Sequence, residues 1–146
     1  MQRRYLFMLV VTVILMACST NQKTKPGGTD DRLSPCPESP NCVSSLSEDK
    51  SHYVEPLSYK VLQEEAREKL ISVINSMKRS DIVTAETNYI HATFKYALFR
   101  FVDDVEFSFD DQRKVIDVRS ASRTGYSDFG VNRKRVEEIR KRFMKP

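Results

Sequence analysis

The chain has 146 residues, with 40% hydrophobic and 30% charged side chains, an ordinary balance for one globular domain. The formal net charge is +4; without Arg3 and Arg4, which lie in a leader, 24 basic residues become 22 against 20 acidic, or +2. That balance is too weak to draw nucleic acid, and no nucleic-acid motif accompanies it.

Residues 1–17 read MQRRYLFMLVVTVILMA. Arg3 and Arg4 form a basic head and Tyr5–Met16 a short apolar run. The run falls short of the ~20 apolar residues that a membrane span needs, so it reads as a secretory signal peptide. Its end, Leu15-Met16-Ala17-Cys18, resembles the bacterial lipobox. That resemblance implies diacylglyceryl transfer to Cys18, cleavage before it and N-acylation, a palmitate-type anchor of several chains that holds durably. An uncleaved anchor or an unlipidated signal is the alternative. Ser19 after the cysteine favours the outer membrane, facing the periplasm, if the cell is Gram-negative. Residues 18–33 are polar, carry Pro26-Gly27-Gly28, and read as a flexible tether. Residues 34–146 form the single globular domain.

Within that domain, Cys36 and Cys42 are surrounded by Pro35, Pro37 and Pro40. An oxidising compartment favours a disulfide between them over a metal site or redox pair, because histidines and Cys-x-x-Cys spacing are missing there. His52 sits among polar residues, reads as a surface residue and is assigned no role. Ser58 is placed as the cap of an amphipathic helix over Tyr59–Met77, with Leu62, Ala66, Leu70, Val73 and Met77 on one stripe. Asp81–Thr87 and Tyr89–Tyr96 read as strands around a turn near Asn88.

Phe99–Phe109 alternates. The odd positions Phe99, Phe101, Val105, Phe107 and Phe109 are taken as the core face, with Asp103 as the anomaly that needs hydrogen-bond donors. Val115–Arg123 follows as its hairpin partner. Two registers match the apolar faces. A short turn sets Arg119 opposite Asp104, and a longer loop sets it opposite Glu106 with Asp103 opposite Ser122. The short turn also opposes Glu106 to Asp117, which favours the longer loop. A glycine-containing loop, residues 124–130, leads to a basic helix with Asn132 as its N-cap, Val131 and Val136 as a hydrophobic staple, and Val136, Ile139 and Phe143 as its apolar stripe.

The segments CPESPNCVSS (36–45), YIHATF (89–94), LFRFVDDVEF (98–107) and RSASRTGYSDFGVNRKRVEEIR (119–140) resemble the domain-of-unknown-function family numbered 1499, which includes bacterial lipoproteins and plastid relatives. The resemblance spans Leu33 to about Phe143 and implies one domain. It implies no activity, cofactor or catalytic residue.

The expected fold is α+β: an antiparallel sheet of about four strands, with the N-terminal amphipathic helix and the C-terminal basic helix on one face and the charged face toward solvent or a partner. Asp103, Asp104, Glu106, Arg119, Ser120, Ser122, Arg123, Tyr126, Asp128, Asn132 and Arg133 form a candidate cluster that either receives an anionic ligand or only pairs internally. The expected function is a non-catalytic binding or scaffold module with no cofactor. It is anchored to the membrane through Cys18, with an envelope protein or anionic ligand as partner. The alternative is a hydrolase- or lyase-type enzyme using Asp103 or Asp104 with His91. A calcium or magnesium site on Asp103, Asp104, Glu106, Asp110 and Asp111 is disfavoured, because neighbouring strand residues point to opposite faces.

Overall fold

The computed structural model describes residues 33–96 and 101–145. The expected signal peptide, Cys18, the expected tether up to residue 32, and Phe99 lie outside the described residues. In chain order the elements are β1 (Cys42–Ser44), β2 (Leu57–Ser58), α1 (Gln63–Asn75), β3 (Ser80–Ala85), β4 (Tyr89–Lys95), β5 (Val102–Asp110), β6 (Val115–Ser122) and α2 (Val131–Phe143). The strands make one six-stranded antiparallel sheet in the order β1-β6-β5-β4-β3, with β2 also beside β6. The fold is α+β, richer by the short edge strands β1 and β2 than the expected four.

Alternation decides which face of the sheet is apolar. Ile90 stands opposite Phe107, and Phe107 opposite Val118; Ala92 stands opposite Val105. These residues meet Ala66, Leu70 and Ile74 of α1 and Val136, Ile139 and Phe143 of α2 in one core cluster. Both helices therefore cover the same sheet face. Phe107 is completely buried, and burial of such a side chain contributes about 1.5–3 kcal/mol. The hairpin takes the longer loop: Glu106 lies opposite Arg119 and Asp103 opposite Ser122. Asp117 is thereby set against Ser108 rather than against Glu106. Asp110 closes the turn by accepting the Arg113 backbone N–H at 2.9 Å, and Lys114 takes a left-handed backbone with φ 55°.

Several expectations are corrected. Ser58 caps no helix but ends β2. The chain stays extended through Tyr59, whose N–H donates to the Lys114 carbonyl at 3.0 Å, and α1 starts only at Gln63. Tyr59 instead packs edge-on against Phe109 at 6.4 Å between centroids and donates its hydroxyl to Asp111. Burial and that bond push the Tyr59 phenol up to about 12. His52 is buried, with Nδ1 2.8 Å from the Cys42 carbonyl oxygen, because its segment runs beside β1 as an extra edge. Phe101 does not join the core: it precedes β5 and is 48% exposed. The face opposite the helices is not a solvated charged face either, since Asp104, Glu106, Asp117 and Arg119 are all buried.

Candidate functional site

The pleat divides the hairpin members of the cluster between the two faces of the sheet, and the rest lie in the loop after β6 and in α2. On the helix face, Asp103 continues the row of Val105 and Phe107, and opposite it stands Ser122. A carboxylate there must find donors. It finds Arg135 of α2, whose Nη2 lies 2.6 Å from Asp103 Oδ2 while the guanidinium stacks 4.9 Å over the Phe94 ring. The same arginine donates to Asn132 Oδ1 at 2.7 Å, and Ser120 donates to that oxygen at 2.5 Å. Asn132 Nδ2 donates to the Ser122 hydroxyl and to the Asn41 carbonyl, each at 3.0 Å.

Asn132 is thus not the N-cap. It is a fully buried residue inside α2. The capping belongs to Asp128, which accepts the backbone N–H of Gly130 at 2.9 Å and of Asn132 at 2.8 Å. An acid at a helix start offsets the dipole as well as the bare N–H groups. Val131, expected outside the helix as the first half of the staple, is its first residue.

On the other face, His91, Glu106 and Arg119 stand side by side on β4, β5 and β6. Arg119 Nη1 donates to Glu106 Oε2 at 2.9 Å, and the Tyr89 hydroxyl donates to Glu106 Oε1 at 2.7 Å. Burial, followed by that bond to a carboxylate, pushes the Tyr89 phenol far up. Diagonally, His91 Nε2 lies 2.8 Å from Asp104 Oδ1, and Arg123 holds both oxygens of Asp104 at 2.8 Å from Nε and Nη2. Burial alone would raise the Asp104 carboxyl. The hydrogen bonds and charges of Arg123 and His91 outweigh it and hold the group down at about 2. Asp104 is therefore an ionised acceptor at neutral pH, so His91 Nε2 carries the proton it shares.

This depression fixes the sign of a pH effect. A carboxyl moved from its ordinary 3.8 to about 2 on folding adds roughly 2 kcal/mol of stability, fully present above about pH 4 and lost as pH falls through about 2. Urea unfolding of wild type and Asp104→Asn is expected to differ by about 2 kcal/mol at neutral pH, with the gap closing across that acid window.

The remaining candidates lie apart. Arg133 donates to the Tyr53 and Ser51 carbonyls, tying α2 to the segment before β2. Tyr126 is 77% exposed in the β6–α2 loop. The hairpin-turn acids are held by their own neighbours: Asp110 by Arg113 at 2.6 Å and Asp111 by Lys114 at 2.6 Å, while Arg113 also bonds Asp117. Among the described residues no group of three or more His, Cys, Asp or Glu is placed to hold a metal ion. Cys36 and Cys42 are bonded, with Cα atoms 5.6 Å apart. Arg135 and Tyr89 escape a reading of the hairpin alone, since nothing in β5 says which helix or strand residue will face it. The available signal was spacing: Arg135 follows Asn132 by one helical turn.

The family model described as protein of unknown function (DUF1499) matches residues 32–143, most of the chain and all of the described strands and helices. The chain belongs to this family. No curated protein matches it. Among the described residues, no helix of this family member is long and apolar enough to cross a membrane.

Proposed function

We propose that this protein is a membrane-tethered module of the cell envelope that binds or scaffolds rather than catalyses. The observation that carries the reading is the internal pairing of the acids on β5: Asp103 with Arg135, Asp104 with Arg123 and His91, and Glu106 with Arg119 and Tyr89. Groups held in this way act as struts, and the buried Arg119–Glu106 pair is closed to a ligand in this conformation. The basic leader, the cysteine after Ala17 and the polar run behind it support lipidation at Cys18, and the Cys36–Cys42 bond suits an oxidising compartment. Labelling of cells with palmitate, followed by fractionation, tests the anchor. Label and membrane residence are expected for wild type and both are expected to be lost in Cys18→Ala; an unlabelled wild type overturns the reading.

One distance favours a second reading as an enzyme. His91 and Asp104 stand 2.8 Å apart, the arrangement that orients an imidazole for proton transfer. Asp103 cannot share that role, because it lies on the helix face with Arg135. A turnover of envelope extract that disappears in His91→Ala but survives in Asp103→Asn would establish the enzyme instead.

A further inference from the structure

One end of the sheet gathers exposed aromatic and basic side chains. Tyr96 N–H donates to the Phe101 carbonyl at 2.8 Å, Arg123 N–H to the Val102 carbonyl at 3.1 Å, and Lys95 N–H to the Arg79 carbonyl at 3.0 Å. These bonds set the end of β4, the starts of β3 and β5 and the end of β6 side by side. The β6–α2 loop leaves from the same end, pinned by Asn41 Nδ2 on the Gly125 carbonyl. Tyr96 is 45% exposed, Tyr126 77% and Phe129 89%. Phe129 takes a left-handed backbone, φ 53°, directly before Gly130 at φ 76°. A bulky residue is disfavoured there, and this one packs into no core. The loop is built to point it outward. At this end of the sheet Lys95, next to Tyr96, and Lys78 and Arg79, just before β3, are exposed, and the Arg123 side chain is half-exposed.

Before β1 the chain lies against the sheet edge, with Pro35 and Cys36 beside Ser44, Leu46, Ser47 and Glu48. The disulfide holds Cys36 to Cys42, and Cys42 pairs with Ala121, close to where β6 ends. Fourteen residues of polar sequence separate Cys18 from Leu33, a length that spans at most about 50 Å. An anchor at Cys18 keeps the domain close to the bilayer, and this end carries the aromatic and basic side chains that suit the headgroups. Aromatic side chains flanked by lysine and arginine are the chemistry that lies in the interface of an anionic bilayer.

We propose that the loop end of the sheet, led by Tyr126 and Phe129, rests in the interfacial zone of an anionic phospholipid bilayer and orients the domain on the membrane. The proposal rests on the anchoring at Cys18 proposed above. The chain contains no tryptophan, so a single introduced one reports alone. Phe129→Trp, expressed from the complete sequence and purified from cells, is reconstituted into phosphatidylglycerol vesicles with brominated acyl chains. Leu62→Trp serves as the control; it lies at the start of α1, whose Gln63 bonds Asn88 at the far end of the sheet. Quenching of about twofold or more is expected for Phe129→Trp, with little for Leu62→Trp. Protein that floats with the vesicles while Phe129→Trp emission stays unquenched overturns this proposal alone. Protein that does not float overturns the anchoring reading and this proposal with it.

Discussion

Glu106→Ala is expected to destabilise the domain by about 3–5 kcal/mol, enough to unfold most of a marginal fold at moderate temperature. The side chains of Glu106 and Arg119 are 0% and 1% exposed, and their oxygen and nitrogen meet at 2.9 Å. Removing the carboxylate leaves a guanidinium in the same dry position without that counter-charge, and also takes the acceptor from the Tyr89 hydroxyl. A lost surface ion pair would cost far less, about 0–1 kcal/mol. Guanidinium unfolding of the purified variant, free of any ligand, measures the difference.

Arg135→Ala comes next, at about 3–4 kcal/mol. It removes the partner of a carboxylate that is only 5% exposed and that sits in the apolar row of β5. It also removes the stack on Phe94 and one donor to Asn132 Oδ1. Because Arg135 is the bond between β5 and α2, the loss is expected to appear as loosening of α2. Hydrogen exchange should quicken at Val136 and Ile139 before it quickens in the β4–β5 ladder. Asp103→Asn with Arg135 intact should be milder, since the amide can still accept a hydrogen bond.

What the sequence disclosed follows from what is local. Period-two alternation located β4, β5 and β6, and the repulsion between Glu106 and Asp117 selected the register that places Glu106 opposite Arg119. Helical spacing found the stripe of α2, but in α1 it included Leu62, which precedes the helix and is 69% exposed, and left out the buried Ile74. The failures have a common cause, which is dependence on distant partners. Ser58 looks like a cap, yet its neighbour Leu57 pairs with Ile116, so the chain stays extended. Asn132 looks like a cap until β6 supplies Ser120 and Ser122 as partners and Asp128 takes over the helix start. Phe101 continues the aromatic alternation but lies before the first residue of β5 and stays about half-exposed. The charged cluster was legible as a group of residues but not as two networks on opposite faces. That division comes from the pleat acting together with α2, whose placement no local pattern encodes. His91 meeting Asp104 rather than the directly opposed Glu106 is a diagonal contact across the sheet, equally invisible along the chain.

The central claim is that the acids and arginines of the hairpin hold the fold together rather than await a ligand. A double-mutant cycle on Glu106→Gln and Arg119→Met, read by denaturant unfolding of ligand-free protein, tests it most directly. Strong coupling, about 2 kcal/mol or more with each single variant clearly destabilised, is the predicted result. Single variants as stable as wild type, with effects that add to within about 0.5 kcal/mol, would contradict it.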